Sequence, residues 1–179
     1  MGKLIRSVAI LAALAALGFA PTGVLADKVK ESGSMDATYS KREVQPIPDQ
    51  DGHILMLTDA AAVNKDTAGT GFLDGFTVNV REMVDLARGT GPSQGYVIFS
   101  KGSDQLVLKI SGMTTTTIKD GQPNTTFKGS FAAVSGKGAL AGAEGEGTYS
   151  GYFTAEDKYH VDWEGTRTVQ KDAMASPEN

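Results

Sequence analysis

Polar and apolar residues alternate with a period of two along most of the chain after residue 35. This period places successive side chains on opposite faces of a strand, so the pattern predicts half-buried strands. No helical spacing of apolar residues is sustained there, apart from a short turn around 139–143. We therefore predict an all-β chain of about eight strands, at 36–44, 53–62, 76–87, 96–101, 105–117, 124–133, 144–153 and 159–169.

The segment 127–153 is the centre of this pattern, because it holds seven glycines in 27 residues between two alternating runs. Glycine weakens a strand, so its repeated use at positions such as Gly129, Gly147 and Gly151 indicates bends or close approach of neighbouring strands. Turn residues between the predicted strands favour antiparallel hairpins from end to end. Pairing the last strand with the first removes both exposed edges, so we predict a single antiparallel barrel.

The N-terminal segment is typical of an export signal. Lys3 and Arg6 precede an apolar run at 8–20, and small residues at 24–26 form a cleavage site after Ala26. The apolar run is shorter than the roughly 20 residues that a membrane-spanning helix needs, which argues against a retained anchor. The sequence therefore predicts a signal peptide at 1–26 and an exported protein, periplasmic or extracellular, that is not an integral membrane protein after cleavage.

Composition restricts the remaining possibilities. Cleavage after Ala26 would leave 153 of the 179 residues, enough for one domain with its own core. We predict a flexible leader at 27–35, a barrel domain at 36–170 and a flexible tail at 171–179. The absence of cysteine excludes disulfides and thiolate metal sites. Without Lys3 and Arg6, 15 basic residues face 21 acidic ones, and this net charge of −6 argues against a nucleic-acid partner.

Glu82 is the clearest irregularity in the alternation. The face of its strand that begins at Phe76 and ends at Leu86 is apolar except for this one carboxylate. A carboxylate inside a barrel must find a partner, change its pKa, or contact water or a ligand, so Glu82 is a candidate ligand-binding residue. Tyr96 is a second candidate beside it. The alternatives are a bulge that turns Glu82 outward, or a structural ion pair.

A weak metal candidate lies on the last strand, where His160, Asp162 and Glu164 share one face. The simpler interpretation is a solvated outer face behind an aromatic inner one. His53 has the same parity as the apolar residues that follow it, and nothing in the sequence indicates that it approaches His160.

The string Gly91-Pro92-Ser93-Gln94-Gly95 matches the G-x-S-x-G pattern of hydrolases, whose serine sits between a strand and a helix. Here a strand follows, and 89–95 has the composition of a hairpin loop. We therefore predict no catalytic residue in this segment.

The segment 95–168 resembles the secreted bacterial members of the allene oxide cyclase-like barrel group, and the plant dirigent proteins share a similar glycine crossing. The resemblance is carried by the stretches FSKGSDQLVLKISG and GKGALAGAEGEGTYSG and by the terminal residues 162–165. It implies a calycin-like barrel. The group includes cyclising isomerases, proteins that guide radical coupling without oxidising anything, and members without known activity. No catalytic residue of the plant enzymes matches a position here.

Three functions remain open from the sequence. The favoured one is non-catalytic binding of a small apolar molecule in the barrel lumen, without a cofactor. The second is a cofactor-free isomerase or cyclase of the allene oxide cyclase-like kind. The third is a structural or interaction barrel whose interior is filled by its own side chains. The sequence does not indicate an oligomeric state.

Overall fold

The structure, a computed structural model, describes residues 26–170 and forms one closed antiparallel ring. Its strands are β1 (Ala26–Pro46), β2 (His53–Val63), β3 (Lys65–Asp66), β4 (Thr77–Ala87), β5 (Gly91–Lys101), β6 (Asp104–Lys119), β7 (Gln122–Lys137), β8 (Glu144–Ala155) and β9 (Lys158–Gln170). Neighbours follow the chain from β4 to β9, β9 pairs with β1, and β2 joins β1 to β4. The prediction of an all-β barrel of about eight strands is confirmed, with the two-residue β3 added beside β1.

Strand β1 closes the ring because it pairs with two different strands. Its first part, from Ala26 to Thr38, lies along β9, and its second part, up to Pro46, lies along β2. A register shift between Tyr39 and Lys41 separates the two parts. A bulge of this kind bends a strand and increases its twist, so β1 can turn from one neighbour to the other.

The core lies inside the ring, where alternate residues of every strand point inward. On β4 these are the even-numbered residues from Val78 to Leu86, and on β5 the odd-numbered ones from Gly91 to Phe99. The buried apolar cluster also includes residues from β1, β2, β6 and β9: Met35, Ala37, Ala60, Leu106, Leu108, Ile110, Tyr159 and Val161. The alternate residues on the outer face are mostly exposed.

One end of the barrel is covered by the loop between β3 and β4, residues 67–76. Leu73 is 3% exposed and packs into the core, with a left-handed φ of 57°. Asn64, just before β3, holds this loop through two contacts: its side-chain N–H donates to the Leu73 carbonyl (3.0 Å), and its oxygen accepts from Trp163 Nε1 (2.8 Å). Because these polar groups are buried and paired, the loop is a fixed plug.

A buried ion pair adds to the plug. Glu31 of β1 is 3% exposed and accepts from Arg167 of β9 at Oε1, with Nη2 at 2.8 Å. The Thr70 hydroxyl in the loop donates to the other carboxylate oxygen (2.5 Å). The Arg167 guanidinium also lies 4.4 Å above the Phe72 ring. Breaking such a buried pair leaves an uncompensated charge, so these contacts hold the loop on the barrel end.

Several glycines lie directly beneath aromatic rings of neighbouring strands. A Cβ added at Gly147 would meet the Phe131 ring at 2.5 Å and overlap the Glu164 carbonyl oxygen; one added at Gly151 would overlap the Phe127 ring. Neither glycine has a left-handed φ. The close approach expected at these positions is therefore confirmed, and its reason is space for rings and backbone rather than an unusual backbone conformation.

Two predicted boundaries were wrong. Residues 27–35 are not a flexible leader but the first half of β1, paired with β9. Residues 91–95 are not a loop, because β5 begins at Gly91 after a tight turn in which Thr90 pairs with Ala87. The predicted tail at 171–179 and nearly all of the predicted signal peptide at 1–26 lie outside the described residues. Within 26–170, no helix has the length and apolar character needed to cross a membrane.

Candidate functional site

The barrel encloses a cavity of about 250 Å³, so its interior is not filled by its own side chains. The plug covers one end. At the other end the strands are joined by short turns, and inward-facing apolar residues are exposed there: Val44 is 48% exposed and Ile118 73%. We call this end, bounded by the turns at 47–52, 88–90, 120–121 and 156–157, the mouth. The lining of the lumen extends to Gly89 and Thr116 beside these turns.

The lumen has two chemically different walls. Aromatic rings from β1, β7, β8 and β9 form one wall and contact each other with centroid separations of 5.2–6.4 Å: Tyr39, Phe127, Tyr149, Phe153 and Tyr159. Aliphatic residues from β4, β5 and β6 form the other: Val80, Val84, Leu86, Val97, Leu106, Leu108 and Ile110. A mostly apolar lining with few polar groups is typical of small-molecule sites.

Glu82 is the main polar group of the aliphatic wall. It faces inward from β4, where its backbone pairs with Gly95 on β5 and Thr58 on β2. None of the ion pairs within residues 27–169 includes it. Burial raises the pKa of this carboxyl, and a hydrogen bond with the Ser93 hydroxyl opposes that shift in part. Glu82 is therefore held toward its neutral, proton-donating form.

Tyr149 faces Glu82 from the aromatic wall. Its hydroxyl is buried and has no hydrogen bond of good geometry within the described residues. Burial, followed by the nearby Glu82 carboxyl, raises the pKa of Tyr149 to about 12, and the same two causes raise the pKa of Tyr39 to about 12. Both phenols are therefore neutral donors at physiological pH. A buried unpaired hydroxyl is costly, which makes it a candidate contact for a ligand.

The sequence prediction for Tyr96 was wrong. Tyr96 is 47% exposed on the outer surface, because the odd-numbered residues of β5 face inward and Tyr96 has the opposite parity. The lumen residue that sequence reasoning missed on this strand is Ser93, which is 8% exposed. Ser93 lies inside a strand rather than on a turn before a helix, as a hydrolase nucleophile would require. Ser93 has the same parity as Val97 and Phe99, and this shared parity was the sequence signal that could have placed Ser93 in the lumen.

The weak metal candidate on β9 faces outward. His160 contacts two carboxylates, Asp36 through Nδ1 (2.7 Å) and Asp162 through Nε2 (3.3 Å). Glu164 has Thr148 and Ser32 as its cross-strand neighbours. No group of three or more His, Asp or Glu side chains within the described part of the chain has the arrangement of a metal site. These contacts agree with the solvated outer face that was the simpler interpretation.

His53 lies elsewhere, at the mouth. Its Nδ1 contacts Asp49 in the β1–β2 turn at 2.5 Å, and its Nε2 contacts Asp85 on β4 at 2.7 Å. These carboxylates hold the pKa of His53 above its usual value, Asp49 having the larger effect. His53 is therefore part of the mouth and is not brought together with His160.

Comparisons with known proteins give a likeness of fold. No protein-family model matches the chain, and no curated protein matches it. A solved structure to which it is similar is that of the pterocarpan synthase dirigent protein GePTS1, at 10% sequence identity and a TM-score of 0.46, covering 86% of this chain and 91% of that one. A likeness at this score does not test the dirigent part of the resemblance, which stays a prediction. No residue role is taken from it, and the bacterial allene oxide cyclase-like part stays a prediction.

Proposed function

We propose that the protein binds, without transforming it, a small apolar molecule that carries one hydrogen-bond-accepting oxygen. The observation that carries this proposal is the polar cluster of Glu82, Ser93 and Tyr149 in a mostly apolar lumen, which also contains the Glu31–Arg167 ion pair at its plugged end. An acceptor oxygen there takes a hydrogen bond from the Tyr149 hydroxyl, or from the Glu82 carboxyl in its protonated form. The apolar walls enclose the rest of the molecule.

The size of the cavity limits the ligand. An apolar cavity of roughly 150 Å³ holds one benzene molecule, so about 250 Å³ suits a molecule of one or two rings, or an aliphatic chain of similar volume. The acidic composition favours neutral ligands over anions. We therefore place the ligand among small neutral ketones, alcohols, ethers and epoxides.

Titration with the fluorescent naphthyl ketone 6-propionyl-2-(dimethylamino)naphthalene tests the proposal, because its emission reports both burial and hydrogen bonding of its carbonyl. We expect saturable binding with a blue-shifted emission. Ala133→Phe, which fills the lumen, should weaken binding about tenfold or more, and Tyr149→Phe should weaken it about 2- to 10-fold, the value of one hydrogen bond. Tyr96→Ala, on the outer surface, is the matched control. Equal affinity of wild type and Ala133→Phe would overturn lumen binding.

A second candidate, a cofactor-free isomerase or cyclase, is favoured by one observation: burial holds Glu82 toward its protonated form in an apolar site, as a general acid requires. Glu82→Gln separates the two functions, because it keeps shape and hydrogen bonding but cannot transfer a proton. An acid–base enzyme should lose about 100-fold or more in the rate of epoxide or ketone isomerisation at unchanged affinity. A binder should keep its affinity for the naphthyl ketone and show no turnover in either form.

We also propose that the barrel is exported to the periplasm or beyond. The predicted cleavage after Ala26 falls at the first residue of β1, which supports this proposal because cleavage there would leave the paired strand from Asp27 onward intact. Intact-mass measurement of the exported protein tests it, with a mature chain beginning at Asp27 as the expected result. A mature chain that still carries residues 8–20 would contradict it.

A further inference from the structure

We propose that His53 is a pH-operated clamp on the β1–β2 turn (residues 47–52) at the mouth of the barrel. Its two ring nitrogens contact two carboxylates on different elements: Asp49 in the turn at 2.5 Å and Asp85 on β4 at 2.7 Å. The side chain of His53 is 16% exposed, whereas the side chains of Asp49 and Asp85 are 57% and 51% exposed. The ring thus ties the turn to the neighbouring strand.

Proton counting makes this arrangement sensitive to pH. An ionised carboxylate is an acceptor only, and a neutral imidazole has one donor and one acceptor nitrogen. Only the imidazolium can therefore donate to Asp49 and Asp85 at the same time. When the ring loses its proton, one carboxylate faces a nitrogen lone pair and that contact becomes repulsive. The same two contacts raise the pKa of His53, so the change falls above the ordinary value of about 6.5.

The charged residues on the elements around the ring include one cation. The turn presents Asp49 and Asp51, β4 presents Asp85, and Arg88 of the β4–β5 turn donates its backbone N–H to the Gly52 carbonyl (2.9 Å). Of these groups, the Asp49 and Asp85 carboxylates contact the ring itself. The excess of acidic groups favours the protonated ring, as the clamp requires.

The hydrogen-bonded backbone amides of the turn report directly whether the clamp is closed. Ile47 N–H donates to the His53 carbonyl (3.0 Å), His53 N–H to the Gln50 carbonyl (3.3 Å), and Arg88 N–H to Gly52. Hydrogen exchange of these three amides, corrected for the intrinsic effect of pH, is measured at pH 5.5 and 8.5 without any ligand. We expect protection to fall at least about fivefold between the two values. Equal protection factors at both pH values would overturn the clamp.

The variant Asp49→Asn tests the clamp most directly. The asparagine amide can donate to an unprotonated Nδ1 while Nε2–H donates to Asp85, so the neutral ring satisfies both partners. We expect this variant to keep its turn protected at pH 8.5. His160→Gln is the matched control, because it removes the other histidine that lies between two carboxylates, on the outer face of β9 and away from this turn. A pH dependence in Asp49→Asn equal to that of wild type would also contradict the proposal.

The clamp bears on ligand exchange because the turn lies on the rim of the mouth, and this step rests on the proposed function. Release of the naphthyl ketone is measured by stopped-flow dilution at the same two pH values. We expect the release rate to change with pH in wild type and to change by less than half as much in Asp49→Asn. Identical pH dependence in both would remove the link to ligand exchange. Failure of the ketone to bind at all would sink the proposed function, while the exchange measurement would still decide the clamp.

Discussion

Replacing Gly147 with alanine should destabilise the barrel through contacts that cannot be relieved. The new Cβ would overlap the Glu164 carbonyl oxygen and lie 2.5 Å from the Phe131 ring and 2.6 Å from the Gly165 Cα. Two of these three neighbours are backbone atoms of β9, which cannot move without disturbing the pairing with β8. The ring can rotate only by leaving its place over the glycines.

The magnitude follows from two opposing effects. Overfilling a packed region costs about 1–3 kcal/mol, and replacing glycine by alanine in a strand recovers about 0.5–1 kcal/mol. Because backbone limits relaxation, we expect a net loss of about 2 kcal/mol in the free energy of unfolding. For a domain of this size that corresponds to a decrease of roughly 4–8 °C in Tm.

Thermal and urea unfolding of the purified 27–179 chain measure this effect. Thr148→Ala is the matched control, since Thr148 is the next residue on β8, points outward and is exposed; its stability should change by less than about 0.5 kcal/mol. Adding Phe131→Leu to Gly147→Ala removes the ring contact but not the backbone overlap, so the double variant should remain destabilised. A Gly147→Ala protein as stable as the Thr148→Ala control would refute the reasoning.

Three further outcomes are expected. Burial raises the pKa of Glu82 in the folded protein above its ordinary value of about 4.5, so ionisation of Glu82 lowers the free energy of unfolding as the pH rises through these two pKa values. Glu82→Gln should therefore have a higher Tm than wild type at pH 8 but not at pH 4. Contact with Asp36, and to a lesser extent with Asp162, raises the pKa of His160 in the folded protein. The stabilisation from protonated His160 is therefore complete below about pH 6.5 and is lost as the pH rises through the pKa of the folded state. His160→Gln should lower Tm more at pH 5.5 than at pH 8.5. Asn64→Leu leaves the Trp163 N–H unpaired and should cost about 1–3 kcal/mol in urea unfolding.

The position of Glu82 was predictable from the sequence because β4 contains no bulge. An uninterrupted strand keeps its parity, so a carboxylate that shares a face with Val78, Val80 and Val84 must share the lumen with them. β5 also keeps its register, so the parity of Tyr96, opposite to that of Val97 and Phe99, already placed it outside; what the sequence obscured was the start of the strand. Gly91 and Pro92 have the composition of a turn, and only the pairing of β5 with β4 and β6 shows that they belong to a strand.

The first half of β1 was missed because two of its buried inward residues, Glu31 and Gly33, interrupt the apolar alternation between Val29 and Met35. Glu31 is buried only because Arg167 and Thr70 pair with it, and Gly33 is small because the Trp163 ring lies 2.6 Å from where its Cβ would be. Arg167 and Trp163 lie more than 100 residues away in the chain. Local alternation cannot reveal a face whose character is set by such distant partners.

The double pairing of β1 has a consequence for the order of folding. From β5 to β9 each strand pairs with the one before it, so this ladder of hairpins can form locally as the chain emerges. The N-terminal half of β1 must wait for β9: Glu31 and Arg167 are 136 residues apart, and closing a loop of that length costs about 4 kcal/mol in chain entropy. The β1–β9 seam should therefore form last and limit the refolding rate. Variants in this seam should accelerate unfolding with little change in the folding rate of the hairpin ladder.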